Sequence, residues 1–242
     1  MSAIDQALMI EQLARGEIAV TGQFMWGSNY TFFCDVHYQG NTVPGVYKPV
    51  RGERPLWDFP SESLAGREVA AYLLSEAGGW GLVPPTVFRQ EGPAGPGSLQ
   101  LYVEHDPEYH FFKFKPEDKA RARPVALFDV VANNTDRKGG HVLVGEDGHL
   151  WLIDHGVCFH AQPKLRTVIW DFAGLPLTEQ ELAQLTDLQQ KLAPDAELYH
   201  ALTPYLSRRE IRAIAGRIDR LLEEGCFPHP SEEWPSTPWP PV

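Results

Sequence analysis

The stretch Val130-Val131-Ala132-Asn133-Asn134-Thr135-Asp136-Arg137-Lys138-Gly139-Gly140-His141-Val142-Leu143-Val144, answered by Leu150-Trp151-Leu152-Ile153-Asp154-His155-Gly156, decides how the rest of the chain is read. An apolar helix ends at Asn133-Asn134, a charged loop follows, and two short apolar runs flank Gly145-Glu146-Asp147-Gly148. Glu-Asp-Gly between apolar runs predicts a hairpin. Such a hairpin returns Asp154, at the end of its second strand, to the neighbourhood of Asp136 in the loop. Two carboxylates converging on one pocket suit a general base and a metal ligand.

Kinase-type phosphoryl transfer divides labour in this way: one aspartate accepts the hydroxyl proton and another holds the metal that bridges the phosphates. Protein kinases place a metal-binding Asn five residues after the first Asp and write the second element Asp-Phe-Gly. Here His141 stands five residues after Asp136, the second element is Asp154-His155-Gly156, and the arginine follows the aspartate as Arg137. Asp-Arg order with an Ile-Asp-x-Gly strand end resembles the phosphatidylinositol 3- and 4-kinase superfamily, an atypical branch of the kinase fold. More narrowly, the chain resembles a mostly actinobacterial family set beside those lipid kinases, over residues 1 to about 225.

The resemblance implies a two-lobed α+β fold of the protein-kinase-like, phosphatidylinositol 3/4-kinase-like type, with ATP and Mg²⁺ or Mn²⁺ in the cleft. Residues 1–104 would form the N-terminal lobe, 105–226 the C-terminal lobe, and 227–242 a Pro/Trp-rich tail. Asp136 would act as base or orient the hydroxyl, with Arg137 and Lys138 beside it, and Asp154 would hold the metal. His141 departs from the pattern, and three roles stay open for it: metal ligand, hydrogen-bond partner of Asp136 or a phosphate, or uninvolved loop residue. As a ligand it would favour Mn²⁺ over Mg²⁺, because imidazole nitrogen suits the softer ion.

Taken in order, Ser2 to Arg15 predicts a helix with Ser2 and Asp5 in a capping arrangement, Ile4, Leu8 and Leu13 along one face, and Gly16 as the stop. Two β-branched and aromatic runs, Ile18 to Thr21 and Tyr30 to Val36, flank the turn Gly27-Ser28-Asn29. In kinases a glycine-rich turn at this place lets backbone N–H groups approach the phosphates, although Gly-Ser-Asn is also an ordinary turn. Lys48 lies on the next apolar strand, where the resemblance expects a lysine on the α- and β-phosphates. Ser61 would cap a helix from about Leu64 to Glu76, whose Glu68, with Glu62 in reserve, would pair with that lysine. Leu99 to Glu104 alternates as a strand and would form the hinge, with adenine on the backbone of Tyr102, Val103 and Glu104.

Beyond Asp106-Pro107, residues Glu117 to Ala132 read as a helix despite Pro124, which should break or start it. Residues 157–175 fit an activation-type segment, with Asp171 a tie or a simple turn residue. Thr178 with Glu181 and Ser207 with Glu210 are capping boxes that open two amphipathic core helices. The tail, with six prolines and Trp234 and Trp239, reads as a surface strand of irregular chain.

The 242 residues can bury a substantial core. A formal net charge of −11 disfavours partners that need a basic face, nucleic acid or an anionic membrane; the one basic run, Lys113 to Arg123, is diluted by acids. Three unpaired cysteines exclude a disulfide framework or a zinc finger. The N-terminus lacks the basic region of a signal peptide, and no apolar run is long enough to span a bilayer, so a cytoplasmic location is expected. The activity the resemblance implies is transfer of the ATP γ-phosphate to a hydroxyl, and the net charge points to a protein or soluble polyol as the acceptor. A nucleotide-binding pseudokinase and AMP transfer on the same fold are the alternatives.

Overall fold

A computed structural model describes residues 3–24 and 29–242. Helix α1 (Ala3–Arg15) leads into a five-stranded antiparallel sheet. Its strands are β1 (Glu17–Gln23), β2 (Phe32–Tyr38), β3 (Asn41–Pro49), β4 (Thr86–Arg89) and β5 (Gly97–Leu101), in the order β1-β2-β3-β5-β4. The β-branched and aromatic residues of these runs suit a pleated, half-buried surface. Leu13, Cys34, Val36, Tyr47 and Leu99 form a small core between α1 and the sheet. Leu8, expected on the buried face of α1, is 60% exposed, so that face is narrower than its periodicity predicts. The expected cap at Ser2 lies outside the described residues.

Helix α2 (Leu64–Ala77) crosses behind the sheet and joins the two lobes. Its Ala70, Ala71 and Leu74, with Trp80, Leu82 and Val83 after it, belong to the large core whose other buried members come mostly from residues 111–227. Arg67, fully buried, pairs with Glu210 and donates to the Cys158 carbonyl at 2.7 Å. The expected cap at Ser61 is not used. The carboxylate of Glu53 accepts from the amides of Leu64 (3.1 Å) and Ala65 (2.8 Å), satisfying two of the donors a helix start leaves free.

The helix expected over 117–132 is two helices, α3 (Pro116–Ala120) and α4 (Arg123–Ala132). Pro124 starts the second, because a proline lacks the N–H and clashes with the preceding turn. Val125, Leu127, Phe128 and Val131 of α4 are completely buried, and α4 stops where Asn133 turns left-handed at φ 50°. Asparagine tolerates that conformation better than most residues. Strands β6 (Val142–Val144) and β7 (Leu150–Leu152) form the expected hairpin.

Helices α5 (Glu179–Lys191), α6 (Glu197–Leu202) and α7 (Arg208–Glu224) close the larger core, and both expected capping boxes are formed. Ile211, Ile214, Ile218 and Leu221 of α7 point inward at helical spacing. The Pro/Trp tail is tied down: the Ser236 carbonyl accepts from Thr167 N–H (3.0 Å) and Trp170 Nε1 (3.2 Å), and Pro241 accepts from Gly139 (2.7 Å). Among the described residues no helix is long and apolar enough to cross a membrane.

Candidate active site

Three elements aim charged groups into one cleft. β3 carries Lys48 near its end, α2 presents Glu68 from its first two turns, and the residue pair after β7 delivers Asp154. Lys48 Nζ lies 2.5 Å from Glu68 Oε1 and 2.6 Å from Asp154 Oδ1. A cavity of about 160 Å³ is lined by these three together with Asn29, Asp136 and His141. Through Asn29, Leu64, Asp136 and Val157 it adjoins a larger chamber of about 770 Å³. The reserve glutamate, Glu62, is exposed in the loop ahead of α2.

The electrostatics are those of a buried triad with one outlet. Burial opposes the Lys48 charge, but Asp154 and Glu68 overcome it and hold the ammonium well above its usual range. Burial likewise opposes the Glu68 carboxylate, and Lys48 with His155 keeps it ionised. Asp154 is held far below the usual carboxylate range by Lys48 first. Its side chain is 51% exposed, so it is the member of the triad that faces the cleft. Its backbone sits at φ 64°, a left-handed conformation few non-glycine residues adopt, held in place by these contacts.

Asp136 opens the same cavity from the loop after α4. The Asn134 side chain accepts the Asp136 amide at 2.9 Å, fixing the turn, and Lys138 Nζ stands 3.5 Å from its carboxylate. Burial raises the Asp136 pKa, with Asp154 adding to the rise and Lys138 offsetting part of it.

Arg137 does not reach the cleft. Its guanidinium is completely buried, binds the equally buried Asp129 at 3.0 Å, and donates to the carbonyls of Ile153 (2.8 Å) and His141 (3.2 Å). It also meets His155 Nε2 at 2.9 Å. An arginine only donates, so Nε2 is the acceptor and the His155 proton sits on Nδ1, facing Glu68 Oε2 at 3.7 Å. The His155 amide donates to the same oxygen at 2.9 Å. One buried network thus fixes the residues on both sides of Asp154.

His141 is resolved by the same reasoning. The Lys138 amide points at its Nδ1 (3.4 Å), so Nε2 carries the proton and faces Asp154 Oδ2 at 3.3 Å. The ring therefore stands within ion-pair distance of Asp154, not of Asp136. Burial pushes its pKa down to about 4, against the pull of Asp154. Since the folded state then binds fewer protons than the unfolded, stability falls as pH drops from about 6.5 toward 4, by roughly 3 kcal/mol at full extent. His155, also lowered by burial, acts with the same sign. His141→Asn is expected to flatten this acid limb in denaturant titrations across that window. An unchanged slope would show that His141 is not the group responsible.

Among the described residues no group of three or more His, Cys, Asp and Glu side chains is placed to hold a metal ion. The donor set fits a different arrangement, in which one or two carboxylates share a hard cation with phosphate oxygens and water. Asp154, half-exposed at the cavity, suits that place, with Asp136 lining the same cavity.

Gly27 and Ser28 lie outside the described residues. Asn29 is pinned by the Arg54 amide, 2.8 Å from its Oδ1. Tyr102, Val103 and Glu104 follow β5 and do not line the cavity. The Tyr102 amide is already bonded to Pro44 (3.0 Å) and its ring packs edge-on against Phe33, while the Val103 carbonyl accepts from His105. Asp171 is an exposed turn residue. Residues of the larger chamber carried no signal in the sequence: Trp57, 93% exposed, with Lys164 4.7 Å above its ring, and the cations Arg54 and Arg166.

The sheet, the bridging α2 and the helical lobe define a protein-kinase-like fold. It is similar to the Golgi casein kinase with Mn/ADP bound, at a TM-score of 0.60 and 14% identity, covering 100% of this chain and 81% of that one. Hydra Fam20 with sugar matches with a TM-score of 0.58 and 13% identity over 92% of this chain and 88% of that one. The Helicobacter pylori proinflammatory kinase CtkA matches at 0.52 and 11%, over 89% and 94%. No family model matches the chain. Protein Rv2133c of Mycobacterium tuberculosis is 40% identical over an alignment of 263 positions, covering 94% of this chain and 93% of that protein, and the chain belongs to its family. Phosphatidylinositol 4-kinase gamma 4 of Oryza sativa is 34% identical over 67% of this chain, which spans only 33% of that relative.

Proposed function

We propose that the protein is an ATP-dependent phosphotransferase that moves the γ-phosphate to a hydroxyl of a protein or a soluble small molecule. The observation that carries this reading is the position of Lys48, bonded at once to Glu68 and Asp154 in a cavity that Asp136 also lines. Lys48, steadied by Glu68, would meet the α- and β-phosphates. Asp154 would hold a divalent ion, which when bound neutralises charge on the phosphates. Asp136 would take the acceptor's hydroxyl proton as its oxygen attacks the γ-phosphorus. The β–γ bridging P–O bond then breaks, and ADP leaves with the electron pair. The chamber beside Asp136 supports an acceptor entering from that side; Arg54 and Arg166 give it cations, while Lys164 is paired with Asp58 on the same wall at 2.6 Å. The overall charge of −11 favours a soluble acceptor over a membrane lipid.

Binding is tested by thermal stabilisation with ATP and Mg²⁺ or Mn²⁺. A ligand at about 100 times its dissociation constant stabilises by about 2.7 kcal/mol. Lys48→Met is expected to reduce that stabilisation, and Asp154→Asn to remove its dependence on metal. Stabilisation that survives both substitutions would place the nucleotide elsewhere.

A further inference from the structure

A further cavity of about 390 Å³ shares Pro163 and Trp234 with the larger chamber but is not lined by Asp136. α7 forms one wall, the segment around Pro163 and Leu165 another, and the Pro/Trp tail closes it through Trp234. Its lining is mainly apolar, with Leu165, Trp170 and Leu221 among the walls, and its size is that of a small-molecule site.

Two buried donors on its walls lack partners. Arg217 spends Nε on the Val131 carbonyl (2.8 Å) and Nη1 on the His160 carbonyl (3.4 Å). Its Nη2, and Nε1 of Trp234, are buried and find no acceptor among the described residues. Most buried polar groups are satisfied, so two orphans on one cavity require an explanation. The charge is unanswered too. No carboxylate among the described residues lies within ion-pair distance of Arg217, and the exposed Arg220 adds a second cation to the lining. Burial pushes Arg217 down to about 10, and Arg220 pushes in the same direction. Glu224, one turn beyond Arg220, shares the lining but pairs with neither. An uncompensated guanidinium in an apolar cavity is costly, and an anion removes the cost.

We propose that this cavity binds an anionic amphiphile, an organic carboxylate whose apolar body fills the space between Trp170, Leu165 and Leu221 and whose head group accepts from Arg217 and Trp234. The site is independent of the nucleotide chemistry proposed above, and its test needs no turnover.

The probes are decanoate and its neutral counterpart decanol, titrated calorimetrically into the full chain below their aggregation limits. A charge-assisted hydrogen bond contributes about 1.5–3 kcal/mol, so decanoate is expected to bind at one saturable site at least about tenfold more tightly than decanol. Arg217→Gln is expected to erase that preference. Because Arg217 also braces Val131 and His160, two gentler variants keep the test decisive. Trp234→Phe removes one donor and keeps the ring; it is expected to weaken decanoate binding several-fold. Gly216 lines the cavity on α7, and a Cβ added there meets no atom within 4 Å. Gly216→Leu is thus expected to fold, since glycine is the weaker helix former, and to block the site. Equal binding of the acid and the alcohol, no saturable binding, or undiminished decanoate binding by folded Gly216→Leu would each overturn the proposal.

Discussion

Asp136→Asn is expected to lower ATP turnover by 10²–10⁴-fold, on the order of what a positioned general base contributes. The substitution keeps shape and volume, and the loop is held by backbone contacts that do not use the carboxylate: the Asp136 amide on Asn134, and the Arg137 amide on Arg166 (3.0 Å). Nucleotide-driven stabilisation should therefore survive, since Lys48 and Glu68 are untouched. The environment of Asp136 favours a base over a spectator. Burial raises its pKa, making it a stronger proton acceptor, with Lys138 beside it offsetting part of the rise. An asparagine can still orient a hydroxyl through its carbonyl oxygen but cannot take the proton. A loss below about tenfold would therefore assign Asp136 an orienting role only.

Arg137→Met is expected to act on the fold instead of the chemistry. Asp129 and Arg137 are both completely buried, and removing one partner of such a pair costs about 3–5 kcal/mol because the other charge is left unpaired. For a chain of this size each kcal/mol moves the melting temperature by about 2–4 °C, so a drop of roughly 6–20 °C is expected by calorimetry. Replacing both partners with apolar residues should recover part of it. Recovery stays partial because Asp129 also accepts from Asn134 (3.1 Å) and Thr167 (3.2 Å), while Arg137 serves the carbonyls on either side of the site. A change of less than about 3 °C would mean that the pair does not hold the catalytic loop to β7.

The sequence made Lys48, Glu68, Asp136 and Asp154 legible because the chemistry admits few residue types at few topological places. A strand lysine, a helix carboxylate, a loop acid and a hairpin-end acid can meet in only a small number of ways. Arg137 is harder to place because its sequence neighbour Asp136 lines the cleft while its own partner, Asp129, is buried. Asp129 sits between Phe128 and Val130 in an apolar helix, and that buried charge was the signal that it needed a buried cation. Glu53, which caps α2, and the chamber residues Trp57, Lys164 and Arg166 come from irregular stretches with no period to read. His141 was undecided because its role depends on which ring nitrogen the Lys138 amide faces, and that is a matter of loop geometry. The split at Pro124 followed from local chemistry alone.

The account stands on what leaves ATP. Purified protein incubated with ATP and Mg²⁺ or Mn²⁺, with protein mass and nucleotide products followed by mass spectrometry, distinguishes its outcomes directly. The account predicts ADP, with phosphate on the protein, an added hydroxyl compound or water, and loss of that product in Asp136→Asn. Pyrophosphate release with AMP added to the product would instead make the same cleft a nucleotidyl transferase. Metal-dependent ATP binding with no product across protein and polyol acceptors would contradict the central claim and leave a pseudokinase.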